Sequence, residues 1–94
     1  MYVIGSSEHG PCKLGISVNP DRRVNQLQTG HAARLHVYHQ EPVPANKTRL
    51  YEQYLHRDVG YNRVVGEWFA LTVAEAIAQV QFTLIQYGES QLRL

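Results

Sequence analysis

The sequence predicts an α+β domain in which a small three-stranded antiparallel sheet is flanked by helices. Three observations lead there. Two β-prone runs open the chain on either side of a Gly/Ser/Pro-rich segment, which reads as a hairpin with a long connection. Helix signals dominate the later part. The 94 residues leave no room for repeated strand–helix–strand units, so one domain spanning 1–94 is expected.

The first strand is Met1-Tyr2-Val3-Ile4, followed by the turn-rich stretch from Gly5 to Pro11, and Cys12-Lys13-Leu14-Gly15-Ile16-Ser17 is the second. Asn19-Pro20-Asp21 then opens a helix: Asn19 caps, Pro20 suits the first helical position and Asp21 complements the positive helix end. This helix carries Arg22 and Arg23 and stops near Thr29-Gly30. Leu35 to His39 alternates as a third strand, closed by Pro42 and Pro44. A second helix is expected from about Ala45 to Asp58, with Leu50, Tyr51, Tyr54 and Leu55 on one face and Glu52 and His56 on a neighbouring one, one turn apart. Thr72-Val73-Ala74-Glu75 has capping-box spacing, and Val73, Ile77, Val80 and Leu84 form the apolar stripe of a last helix. Phe82 points away from that stripe, either merely exposed or against a partner.

Composition narrows the function classes less than the motifs do. No apolar run approaches the length of a membrane span. The N-terminus lacks the layout of a secretory leader. The lone cysteine, Cys12, cannot form an internal disulfide, which fits a reducing, cytoplasmic setting. The net charge is +1, yet residues 1–63 carry eight of the nine Lys and Arg against five acids. Such a basic portion suits a polyanion, although ordinary solvated surface would look the same.

The stretch from Tyr2 to Arg23 resembles the GIY-YIG nuclease superfamily, whose module has two strand-borne tripeptides followed by a helix with an arginine. The first tripeptide is reduced here to Met1-Tyr2, the second is Lys13-Leu14-Gly15, and Arg23 lies ten positions beyond Lys13. The phrases KLGIS, NPDRRVNQLQTG, YEQYLH and GEWFAL together resemble the short branch typified by a phage T5 open reading frame and a yeast meiotic protein, over residues 2 to about 85. Two departures stand out. Lys13 replaces the second motif tyrosine, and Leu27 stands where the common motif has a histidine one turn after the arginine.

The resemblance implies a metal-dependent endonuclease that hydrolyses phosphodiester bonds, on DNA rather than RNA. Tyr2 would be the general base. Its phenol, ordinarily near pKa ~10, needs a nearby cation to serve at neutral pH, a task that falls to Lys13 and the metal. Arg23 would hold the scissile phosphate and Arg22 a flanking one. Glu52 would bind one ion, Mg²⁺ or Mn²⁺. His56 would touch substrate, water or the metal shell, or simply pack. Gly15 would permit close backbone approach. Glu67 would lie near the site edge, and Trp68 and Phe69 would seal the core, with base stacking the lesser role for Trp68. Tyr2, Lys13, Arg23 and Glu52 should then converge on one open concave surface, and scattered side chains or a Tyr2 buried in the core would count against this assignment. His9, His31, His36 and His39 have no metal-ligand spacing, and Asn62 has no firm role.

Two other functions stay open. One is a catalytically weak or inactive nucleic-acid-binding module, which Lys13 and Leu27 allow. The other is a small protein-interaction domain, for which Phe82 and the tail Gln91-Leu92-Arg93-Leu94 speak. So short a chain would draw specificity from substrate shape, a homodimer or a partner protein.

Overall fold

The computed structural model describes residues 1–92; Arg93 and Leu94, half of the tail singled out above, lie outside the described residues. The chain forms β1 (Tyr2–Gly5), β2 (Cys12–Gly15), α1 (Pro20–Gln28), β3 (His36–Gln40), α2 (Thr48–Asp58), β4 (Arg63–Val65), β5 (Trp68–Phe69) and α3 (Val73–Leu92). A single 3₁₀ turn precedes α2 and another precedes β4.

The sheet has five strands rather than the expected three, in the order β3-β1-β2-β5-β4, all pairs antiparallel. The β1–β2 hairpin and β3 form where the sequence puts them. The two extra strands come from a second hairpin over 63–69, turned at Gly66 with a φ of 56° that a side chain rarely tolerates. Lys13 pairs with Trp68 and Cys12 with Phe69, so β5 covers only the first half of β2. Beyond Lys13 the outer edge of β2 is met by a single backbone bond, from the Leu14 N–H to the Glu67 carbonyl at 3.1 Å.

Alternation along the strands divides the core. Val3, Cys12, Leu14 and Phe69 join Tyr51, Leu55 and Val59 of α2 and its end, and Leu71, Val73, Ala76 and Val80 of α3 and its approach. Tyr2 and Ile4 meet Leu35, with Val24 and Leu27 of α1, Val37 and Trp68 packed around them. The sheet is therefore sandwiched, with α1 on one face and α2 and α3 on the other.

The helix signals are realised atom by atom. Asn19 Oδ1 accepts from the Arg22 N–H at 3.1 Å, with Pro20 at the first turn. Before α3 the capping box closes in both directions: Glu75 Oε1 accepts from the Thr72 N–H at 2.9 Å, and Thr72 Oγ1 from the Glu75 N–H at 3.1 Å. On α2, Tyr51 and Leu55 are buried but Leu50 turns outward at 38% exposure, because it lies a full helical step from the face that meets the sheet. Gln28 ties α1 to β3, its amide donating to the Ala33 carbonyl at 2.9 Å and its oxygen accepting from the Leu35 N–H at 2.8 Å. Among the described residues no helix is long and apolar enough to cross a membrane.

Candidate active site

Register determines what meets at the end of β2. Tyr2 lies opposite Gly15 and Ile4 opposite Lys13, so all four positions share the α1 face. A Cβ at Gly15 would stand 2.6 Å from the Tyr2 hydroxyl oxygen and 3.2 Å from Glu67 Oε2. The phenol therefore occupies the space that a side chain at position 15 would fill, and its hydroxyl ends beside the Glu67 carboxylate. Gly15 allows this close approach, as a strand glycine does when another group must come near.

Arg23, on α1, lies close enough to the Tyr2 hydroxyl to pull its pKa down. Lys13 is buried, with Nζ 3.4 Å from Glu67 Oε2 and 5.7 Å from the centre of the Trp68 ring. The His31 ring also packs on Trp68, centroids 5.1 Å apart. From α2, Glu52 Oε2 accepts from the Ile16 N–H at 3.1 Å. His56 Nε2 lies 2.7 Å from the Leu14 carbonyl, which can only accept, so Nε2 carries the proton. One donor atom each from Glu52, His56 and Glu67 lies within 4.8 Å of the others, and all three residues are half-buried.

The electrostatics of Tyr2 follow from this neighbourhood. Burial pushes its phenol above the ordinary value; Arg23 pulls it down, and Glu67 and Glu52 push it up. Arg23, rather than Lys13, is the cation on the phenol. Lys13 faces Ile4 across the hairpin, two pairs away from Tyr2, and its ammonium is paired with Glu67. The expectation that Lys13 is the cation acting on the phenol is therefore corrected.

A second expectation is also corrected. Tyr2 is only 1% exposed, so no open concave surface surrounds its ring. Leu27 and Trp68 belong to the same apolar cluster, and the hydroxyl end alone reaches the charged groups. Glu52 is held by the Ile16 backbone N–H just past the end of β2. Arg22 is exposed, outside this arrangement. Asn62 sits in the exposed turn before β4, where its carbonyl accepts from the Ala70 N–H at 2.6 Å.

Glu67 is the residue whose importance the sequence understated. Its signal was the GEWF phrase, but only pairing of β5 with β2 brings it onto the phenol and Lys13. Leu27 packs in the apolar cluster around Tyr2, where the common motif would have a histidine.

The fold and this cluster define a small α+β domain with a charged site, able to hold a metal, at the free end of its second strand. Residues 1–84 match the family model of the T5orf172 domain, and the chain belongs to that family. No curated protein and no solved structure matches it. Membership is compatible with a nuclease-like or nucleic-acid-binding module.

Proposed function

We propose that the chain is a GIY-YIG-type endonuclease that hydrolyses DNA phosphodiester bonds with one divalent ion on Glu52. The carrying observation is that the Tyr2 phenol feels Arg23, Glu67 and Glu52 together, residues brought to it from α1, the β4–β5 turn and α2. Glu52 suits an ion: Ile16 engages Oε2 and leaves Oε1 for coordination. When bound, the ion supplies Lewis-acid stabilisation of the departing 3′-oxygen.

The rest is done by the chain. Arg23 has five N–H donors, enough to keep the phenol and also grip the non-bridging phosphate oxygens. Water attacks phosphorus and gives its proton to the Tyr2 phenolate; the bond to the 3′-oxygen breaks, and that oxygen leaves with the bonding pair and takes a proton from solvent water, giving a 5′-phosphate and a 3′-hydroxyl. Because burial raises the phenol, the phenolate is scarce at neutral pH and its share grows with pH. Lys13 holds Glu67 beside the phenol. Burial of Tyr2 requires α1 to shift when substrate arrives. That helix buries no residue completely, so its displacement disturbs far less packing than moving α2 or α3 would.

The same burial favours a second reading, a nucleic-acid-binding module of this fold that does not cut. Phe82, 55% exposed on α3, keeps the protein-interaction alternative in view. A nicking assay on supercoiled and branched DNA, with and without Mg²⁺ or Mn²⁺, separates the three. Metal-dependent cleavage should fall by a hundredfold or more in Tyr2→Phe, Arg23→Ala and Glu52→Gln, which is about 3 kcal/mol of transition-state stabilisation. Cleavage surviving Glu52→Gln would sink the nuclease reading. Binding without cleavage, weakening as salt rises, would select the second reading. Neither would leave the third.

A further inference from the structure

We propose that Glu52, His56 and Glu67 form a three-ligand site for one first-row transition ion of the Mn²⁺ class, with imidazole nitrogen among the ligands. The inference builds on the proposed function but goes beyond the single carboxylate that it needs.

Geometry comes first. The three donor atoms lie within 4.8 Å of one another. Ligands held about 2.1 Å from a common ion stand about 3–3.5 Å apart, so closing the site asks for side-chain adjustments of about 1 Å. Glu52 and His56 are already one turn apart on α2, and Glu67 arrives from the opposite side on the β4–β5 hairpin.

Each ligand is also oriented by β2 through an atom that the ion does not need. The His56 Nε2–H donates to the Leu14 carbonyl at 2.7 Å, which leaves the lone pair on Nδ1. Such a bond from the second ring nitrogen to a carbonyl is the usual partner of a metal-bound histidine. Ile16 holds Oε2 of Glu52 at 3.1 Å and leaves Oε1. Lys13 holds Oε2 of Glu67 at 3.4 Å and leaves its Oε1. Lys13 and Leu14 of β2 and Ile16 just past it thus each hold one atom of a ligand residue and leave a nitrogen and two carboxylate oxygens free for an ion.

Charge and chemistry agree. Among the described residues Lys13 is the one cation in an ion pair with either carboxylate. A divalent ion would offset the remaining repulsion between Glu52 and Glu67. All three residues are half-buried, which leaves a path for the ion and room for water or a phosphate oxygen to complete its coordination. A nitrogen ligand does little for Mg²⁺, which prefers oxygen, whereas first-row transition ions accept imidazole readily.

The test is a Mn²⁺ titration followed by electron paramagnetic resonance on the full chain without nucleic acid. The wild type should remove one equivalent of Mn²⁺ from solution, and its pulsed spectrum should carry a ¹⁴N coupling from a bound imidazole. Glu67→Gln and Glu52→Gln should each weaken Mn²⁺ binding tenfold or more. His56→Asn should abolish the ¹⁴N coupling and weaken Mn²⁺ about tenfold while changing Mg²⁺ competition less than twofold. No bound Mn²⁺ in the wild type, or bound Mn²⁺ without ¹⁴N coupling, would overturn the site, and the wild-type spectrum needs no variant to fold. Wild-type Mn²⁺ affinity in both Glu67→Gln and His56→Asn would also overturn it. Either result leaves the nuclease reading to the nicking assay, which Glu52 alone can satisfy.

Discussion

On one face of the sheet, Val3, Cys12, Leu14 and Phe69 meet two helices, and among the described residues the buried cluster there has twelve members. On the other, Tyr2 and Ile4 meet one nine-residue helix that buries nothing completely, and the buried cluster has three. The titratable groups follow this division. Lys13 and the Tyr2 hydroxyl belong to the thin face, and Glu52, His56 and Glu67 reach the open end of β2 beside it. The difference teaches where a small domain can place chemistry. The thick face supplies the apolar burial that holds the fold, and the thin face is left free to admit a charged substrate at modest loss of packing.

Truncation on the thick face is expected to have the largest effect on stability. Leu55 is fully buried in the larger core cluster, and Leu55→Ala should lower unfolding free energy by about 3 kcal/mol in urea titration. The fraction that stays folded should cut DNA at the wild-type rate within about twofold. A large loss of rate per folded molecule would break the division between the faces.

A smaller but double effect is expected at Gly15. A methyl there meets the Tyr2 hydroxyl at 2.6 Å, so Gly15→Ala must push the phenol out of its place. Destabilisation of about 1–3 kcal/mol should accompany a loss of cleavage at least as large as that of Tyr2→Phe. Normal cleavage in a well-folded Gly15→Ala would remove the buried phenol from the mechanism.

The mildest probe is pH, because stability and cleavage should answer it with opposite signs. Burial pushes the Cys12 thiol on the thick face from 9.0 up to about 11, with Glu75 adding to the rise. The folded state then favours the protonated thiol. That stabilisation is full below pH 9 and is lost as pH climbs toward 11, by at most about 2 kcal/mol, and the raised Tyr2 phenol acts in the same direction at higher pH. Thermal unfolding between pH 8 and 11 should record the decline, and Cys12→Ala should flatten it. Cleavage should instead rise about tenfold per pH unit between pH 7 and 9 as the phenolate share grows, until stability fails. A pH-independent rate in the wild type would remove Tyr2 as the base.

Reading the site from sequence succeeded where one helix turn carried the information. Glu52 and His56 were legible as neighbours because a four-residue step places side chains on one helical face, and both now bond the same strand end. Glu67 was half legible, since its phrase stood out but its position depends on a two-residue strand that no periodicity announces. Trp68 and Phe69 are too few to alternate, and Val64 and Val65 are exposed, so the second hairpin lacked the pattern of a half-buried strand.

The sequence by itself determined the helices and their limits, through the Asn19 cap, Pro20, and the Thr72–Glu75 box, because those bonds close within a few residues. It also determined the first hairpin and the strand after α1, where β-prone runs and turn residues suffice, and the family to which residues 1–84 belong. Only the tertiary structure decided that the sheet has five strands, that Arg23 and not Lys13 acts on the Tyr2 phenol, that the phenol is buried, and that Glu67 completes the carboxylate cluster. Each of these rests on strand register or on how a helix docks, and such long-range pairing is set by the packing of the whole core rather than by any local run of residues.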